Sequence, residues 1–463
     1  MNLLIILGAL AFLMIVAYRG FSVILFAPLA ALLAVALTDP SAVPTLFSGL
    51  FMEKMAGFAK LYLPVFVLGA IFGKVIELSG FSRAIVAAVI RTVGSQRAMA
   101  CIILVCAVLT YGGVSLFVVV FAVYPFAAEM FRQGNIPKRL IPGTIALGAF
   151  SFTMDALPGS PQIQNIIPTP FFHTTTWAAP ILGTIGSIFI LTMGLSYLEW
   201  RRRCAARAGE TYGTGHLNEP EAAPTALPIP AWVAVLPLIV VGLANNVFTY
   251  FIPKIYGVTN ETRLAGMATP VVTEIKNVTA IWAVEGALLL GILTVFLFAF
   301  RTLAGKFAEG SKAAVAGALL ASMNTAAEYG FGAVIAALPG FILVRDALKV
   351  IPNPLVNEAI TVTTLAGITG SASGGLSIAL ASMAAQFSAA AQAAGISPEV
   401  LHRVASIASG GMDTLPHNGA VITLLAVTGL THRQSYSDIF AITCIKTTAV
   451  FVVIAVYYMT GLI

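Results

Sequence analysis

The chain alternates long apolar runs with short polar breaks. Runs at 3–18, 22–38, 61–79, 178–199, 230–250, 278–300 and 436–460 approach the roughly 20 apolar residues that a helix needs to cross a hydrocarbon core. They predict membrane-spanning helices. Other apolar stretches are interrupted. Residues 98–132 contain Thr110-Tyr111-Gly112-Gly113-Val114-Ser115, and 355–393 contain Gly374-Gly375-Leu376-Ser377; small residues in mid-run predict a re-entrant hairpin with its tip there. Residues 140–172 and 401–431 each contain Met-Asp-x-Leu-Pro, as Met154 to Pro158 and Met412 to Pro416. Proline removes a helical hydrogen bond and clashes with the preceding turn, so both are expected to be discontinuous helices.

The matches keep their order along the chain. Asp155 and Asp413 lie 258 residues apart, and the Gly-Gly-x-Ser stretches 262 apart. This predicts an all-α polytopic membrane protein of two repeats, 1–199 and 230–463, joined by a linker at 200–229. Each repeat would hold five transmembrane helices, one of them discontinuous, and a re-entrant hairpin. Five crossings make the repeats inverted. With Arg201, Arg202, Arg203 and Arg207 placed in the cytoplasm, fifteen basic residues fall on that side against eight outside, Arg403 among the eight. The positive-inside bias then puts both termini on the non-cytoplasmic face. The first run lacks a basic leader and a cleavage site, so it is expected to be a retained helix.

Composition agrees. Hydrophobic residues make up 59% and charged residues 10%, with a mean hydropathy of +0.94, far from the roughly 25% charged of soluble domains. The net charge of +6 belongs to loops, not to a nucleic-acid surface. The four cysteines show no metal-ligand spacing, and no cofactor is expected beyond a coupling ion. Phosphate loops, HExxH and GxSxG are absent, which leaves pumps and hydrolases without support.

An ionisable residue inside a membrane span is a functional candidate by default. Asp155, Asp413 and Glu328 are therefore the expected ion-coupling residues. Burial penalises the charged form of a carboxyl, so a proton can travel on one of them; sodium held by aspartate and freed carbonyls is the alternative. Broken helices place substrates near the midplane, where freed amides meet anions. The expected substrate contacts are Thr110, Gly112, Gly113, Ser115, Ser160, Gln162, Asn165, Ser371, Ser373, Gly374, Ser377, His417 and Asn418. No lysine or arginine lies in these stretches. Dipoles and hydroxyls alone suit one carboxylate better than several, and the amides suit hydroxyl groups, so a small hydroxylated monocarboxylate is expected. The plainer readings are that the aspartates cap half-helices and that the glycines are close-packing contacts between helices. His402 is expected at the membrane surface.

The paired hairpins and Asp-x-Leu-Pro breaks resemble the gluconate permease (GntP) family of the ion transporter superfamily, and the stretches 110–115 and 155–165 are most similar to its 3-hydroxybutyrate-like hydroxy-acid permeases. The resemblance implies proton symport of a sugar acid or hydroxy acid across a bacterial inner membrane. It also implies a homodimer and an elevator-like movement. An intramembrane aspartyl protease and an anion channel are the other readings. The Tyr-Asp and Gly-x-Gly-Asp settings of the protease are missing around Asp155 and Asp413.

Overall fold

An asparagine or serine followed by proline starts two of the helices. Asn353 accepts the amides of Leu355 and Val356 at 3.1 Å ahead of Pro354, and Ser397 accepts that of Glu399 at 3.3 Å ahead of Pro398. The cap oxygen takes amides without intrahelical partners, and proline gives up one that would be unpaired anyway.

The computed structural model describes residues 2–19, 21–93, 97–114, 116–219, 229–348, 351–416 and 418–463; the candidates Ser115 and His417 lie outside the described residues. The first helices are α1 (Asn2–Tyr18), α2 (Val23–Thr38), α3 (Met52–Leu78), α4 (Phe81–Val93), α5 (Ala98–Tyr111) and α6 (Leu116–Gln133). A broken region follows as α7 (Ile141–Ala149), α8 (Phe152–Asp155), α9 (Ile163–Ile166) and α10 (Thr169–Phe172). Then come α11 (Pro180–Arg207), α12 (Ala231–Tyr256), α13 (Ile275–Leu303), α14 (Phe307–Ala337) and α15 (Pro339–Leu348). The last group is α16 (Pro354–Thr369), α17 (Ala372–Ala393), α18 (Pro398–Gly410), α19 (Gly419–Thr428) and α20 (His432–Thr460). Between α12 and α13, β1 (Thr259–Thr262) pairs antiparallel with β2 (Val271–Glu274). Threonine in both strands and valine in the second favour extended backbone.

Among the described residues, six helical stretches are long and apolar enough to cross a membrane: Pro40–Leu78, Pro180–Arg207, Ala231–Tyr256, Ile275–Leu303, Ala372–Ala393 and His432–Thr460. Leu25, Leu29, Leu243, Leu297 and Phe300 point outward, and apolar surface on this scale is stable only against lipid or a partner. The chain is an all-α multi-pass membrane protein.

Two groups of helices pack separately and then meet. In the first, α3 lies along α14, α2 packs on α14, and α12 pairs with α13. In the second, α5 packs on α7, α11 on α20, and α16 on α17 and α18. The groups meet where α14 crosses α17, and a Cβ on Gly332 would press on Ile378 there. A missing side chain allows this close approach of two backbones.

The turn after α16 falls at Gly370, whose φ of +66° suits glycine, and at Ser371, which caps α17 by accepting the Gly374 amide at 3.0 Å. This shifts the second tip. Gly374 to Ser377 were expected in it, but they lie in the first turns of α17. Arg201 to Arg207 are also helical, as the last turns of α11 rather than the start of a linker; Glu199 bonds Arg202 and Arg203 three and four residues on.

The segment after α11 is strapped down. Lys138, fully buried, pairs with Glu219 at 2.7 Å and donates to Leu217 O at 2.8 Å. Tyr124 of α6 donates to Asn218 O at 2.8 Å, and Asn218 donates to Ala426 O of α19 at 2.8 Å.

Candidate functional site

The two interrupted regions meet in the interior. The first ends α7 at Ala149, makes the single turn α8, and cannot continue as helix through Leu157-Pro158-Gly159-Ser160-Pro161. The second ends α18 at Gly410, makes a 3-10 turn at 411–414, and resumes as α19 after Pro416. Asn418 caps α19 by accepting the Ala420 amide at 2.7 Å.

Asp413, in the 3-10 turn, is 7% exposed. Its Oδ1 accepts the Ala372 amide, the first of α17, at 3.1 Å, and Asn418 Nδ2 at 3.4 Å. Its Oδ2 accepts Gln164 Nε2 at 2.9 Å. One carboxylate therefore joins the second break, the start of α17 and the first break. Negative charge is favourable at a helix N-terminus. Asn418 also donates to Gly370 O at 2.8 Å, closing the turn onto the break.

Asp155 has a different environment. It is 1% exposed, and among the described residues neither carboxylate oxygen accepts a hydrogen bond. Its charged contact is Lys446 Nζ of α20 at 3.5 Å, an ion pair without aligned hydrogen-bond geometry. The same ammonium donates to Phe150 O at 2.5 Å and to Gly410 O, the carbonyls at which α7 and α18 end. Two half-helix C-termini, each carrying partial negative charge, share one cation. Asp413 is close enough to feel both this ammonium and Asp155. A Cβ on Gly410 would fall on the Asp155 carboxylate.

Arg403 of α18 is fully buried. Its Nη1 donates to Asp155 O and to Asn165 Oδ1, both at 3.0 Å, and its Nη2 donates to Ala178 O at 2.7 Å. His402 contacts Thr174 Oγ1 at 2.6 Å and Asn165 Oδ1 at 3.2 Å. Ser406 donates to Asp155 O at 2.8 Å and to Gln164 O at 3.0 Å. Both side chains are buried, whereas Arg403 was counted among the outer basic residues and His402 was expected at the membrane surface. Both are interior because α18 starts at Pro398 and its first turns face the unpaired carbonyls of the first break. The expectation of a site with dipoles alone is corrected too, since two buried cations reach it from neighbouring helices. Lys446 carried the same signal as the aspartates, a lone ionisable residue in an apolar run. Arg403 and Gln164 gave no comparable signal.

The remaining candidates divide between three places. Around the first hairpin turn, Gln162 Nε2 donates to Thr110 O at 2.7 Å and Tyr111 donates to Pro158 O at 2.7 Å. Thr110 is buried, with no partner for its hydroxyl among the described residues; Gly112 lies against Leu238, and Gly113, at φ +94°, beside Pro161. Within the first break, Ser160 donates to Thr153 O at 2.6 Å, and the Asn165 amide spans Ser160 O and Thr176 O at 2.9 and 2.8 Å. At the start of α17, the hydroxyls of Ser371 and Ser373 are 3.4 Å apart, and Thr325 of α14 lies 3.4 Å from Ser373. Ser377 bonds back to Ser373 O at 2.7 Å. Glu328 of α14, 3% exposed, lies so close that a Cβ on Gly374 would overlap its carboxylate.

No family model matches the chain. Over an alignment of 472 residues covering all of both chains, it is 59% identical to the uncharacterized transporter YxjC of Bacillus subtilis (strain 168). The chain belongs to the YxjC family of transporters. Its fold is also similar to the crystal structure of the YdaH transporter of Alcanivorax borkumensis, reported to have an unusual topology. That match has a TM-score of 0.52 at 16% identity and covers 91% of this chain and 90% of the other. In this member of the family, two buried aspartates, a lysine and an arginine lie where the two interrupted regions meet.

Proposed function

We propose that this transporter is a secondary active symporter that takes up a small hydroxylated monocarboxylate, gluconate-like or 3-hydroxybutyrate-like, together with protons across a bacterial inner membrane. The observation that carries the reading is the meeting of Asp155, Asp413 and Lys446 with the ends of α7, α18 and the start of α17. Such ends hold anions and coupling ions in transporters with broken helices. Arg403 is saturated by oxygen acceptors of the protein, which leaves one cation for a substrate and fits one carboxylate. The amides of Asn418 and Gln162 and the hydroxyls of Ser371 and Ser373 offer partners for hydroxyl groups. Two inverted repeats, a homodimer, both termini outside and an elevator-type movement of the hairpin and broken-helix group complete the proposal, on the strength of the sequence symmetry and the permease resemblance.

Proton coupling is favoured over sodium for a physical reason. Sodium at Asp155 would need the freed carbonyls of Phe150 and Gly410, and the Lys446 ammonium already occupies them. The test is uptake into proteoliposomes of gluconate, glycerate, lactate, 3-hydroxybutyrate and citrate, with and without a pH gradient and with sodium exchanged for potassium. Saturable uptake of a hydroxy monocarboxylate driven by an acid exterior is expected, and Asp155→Asn should abolish or uncouple it. Preference for citrate, dependence on sodium, or unsaturable conductance would overturn the reading.

A further inference from the structure

The two aspartates at the crossing are held in opposite ways, and the difference assigns them different work. Asp413 has three donors from three segments, so moving or neutralising it dismantles the junction. Asp155 has only the Lys446 ammonium at 3.5 Å, no hydrogen bond to its carboxylate among the described residues, and Gly410 backbone against its face. The two cations differ in the same sense. The Arg403 guanidinium spans acceptors on several residues of the broken region, which fixes it as a brace. Lys446 has three N–H donors, two on carbonyls and the third free to point at whichever anion is present.

We infer that Lys446 is a counter-charge passed from Asp155 to the substrate: Asp155 takes up a proton, and the released ammonium pairs with the carboxylate of the incoming molecule. This deepens the symport reading and rests on it. The proton neutralises one anion as the substrate brings another, so the net charge around Lys446 does not change. That matters because an unpaired buried charge is far more costly than a paired one. The exchange makes each ligand depend on the other: without a proton the ammonium is occupied, and without substrate the ammonium holds Asp155 ionised.

Asp413 and Arg403 are the other charged groups whose fields reach Asp155, and α18, packed against both partners, also carries Glu399 and His402. Among the other elements packed against this pair, α7, α9 and α17 carry no acidic or basic side chain. Helix α16 brings Glu358, α5 brings Cys101, Cys106 and Tyr111, and α11 carries Glu199 and its arginines near its far end. Lys138 and Arg139, beside the start of α20, are paired with Glu219, Glu210 and Asp438.

The experiment has a substrate-free arm and a transport arm. Infrared difference spectra of the purified protein across pH should show a protonated-carboxyl band that is absent in Asp155→Asn and persists to higher pH in Lys446→Met. A band indifferent to Lys446→Met overturns the inference whatever the substrate is. In proteoliposomes with gluconate and with 3-hydroxybutyrate, Asp155→Asn should exchange substrate at a rate that no longer follows pH, without accumulating it on a pH gradient. Lys446→Met should lose substrate binding, and Lys446→Arg should recover part of it. Unimpaired binding in folded Lys446→Met would show that the lysine only caps helices and would overturn the inference. If the infrared pattern holds and neither anion is bound or transported by the unaltered protein, the substrate assignment falls while the proton switch at Asp155 and Lys446 stands.

Discussion

Gln164 and Asp413 are bonded at 2.9 Å across 249 residues of chain, so the first interrupted region is tied directly to the second. The same carboxylate takes the first amide of α17. Asp413→Asn should therefore damage folding as well as transport. The new amide would present a donor to Gln164 or to Ala372, each of which already donates. Hydrogen bonds to a charged group contribute about 1.5–3 kcal/mol, so a melting temperature lowered by several degrees in detergent is expected, with uptake lost. Unchanged melting would mean that the junction is not held by this carboxylate.

Gly410→Ala sets two effects against each other. Helix propensity alone would stabilise the alanine variant by about 1 kcal/mol, whereas the added methyl falls on the Asp155 carboxylate, and overpacking of this kind costs about 1–3 kcal/mol. The contact should win, and uptake should fall because Asp155 is pushed away from Lys446. Gly374→Ala should act in the same way through Glu328. Thermal unfolding and uptake in parallel check both; a stabilised, active Gly410→Ala would contradict the packing described.

Arg403→Lys should not be conservative. The guanidinium reaches Asp155 O, Asn165 Oδ1 and Ala178 O together, which a compact ammonium cannot span. Asp155 O keeps its bond from Ser406 and Asn165 Oδ1 its contact with His402, so the loss falls on Ala178 O, and a buried acceptor left unpaired costs about 1–3 kcal/mol. The expected outcome is reduced yield and a lowered melting temperature, with residual uptake still dependent on pH. Melting equal to the unaltered protein would contradict the bracing role.

The strap after α11 should respond to acid. Burial would raise the Glu219 carboxyl, but the hydrogen bonds from Lys138 and Tyr212 outweigh it and hold the group below the usual glutamate range. A carboxyl depressed in the folded state contributes stability above its unfolded value of about 4.3, and that contribution drains away as pH falls through the lower folded value. Hydrogen exchange of residues 211–219 should be slow at neutral pH and accelerate only in that acidic window. Glu219→Gln, which leaves Lys138 without its anion, should make exchange fast at neutral pH as well. Equal protection in the two proteins would show that the ion pair does not hold the strap.

The helical membrane class was legible because apolar runs long enough to span are rare elsewhere, and the interruptions were legible because proline and aspartate are costly inside them. Helix stops at Ala149 and again at Asp155 in the first region, and at Gly410 and again at Thr414 in the second. The second turn was misplaced by a few residues because Gly374-Gly375 looked like a tip, while Gly370 carries the left-handed backbone and Ser371 the cap. The cations were missed for a different reason. Lys446 reaches Phe150, 296 positions away, and Arg403 reaches Asp155, 248 positions away, and no local pattern shows which distant carbonyls a long side chain will reach. Ser160 and Asn165 were expected to face a substrate; Ser160 and the Asn165 nitrogen donate to nearby backbone carbonyls, and the Asn165 oxygen meets Arg403 and His402.

The cation shared by the two half-helix ends also orders the making of the protein. Helix α20 leaves the ribosome after α7 and α18, so during synthesis the carbonyls of Phe150 and Gly410 and the Asp155 carboxylate enter the bilayer before the ammonium that completes them. Until α20 inserts, the nascent interior must stay hydrated or shielded by the insertion machinery. Damage confined to α20 should then lead to degradation of the whole chain rather than to a shortened, partly working transporter.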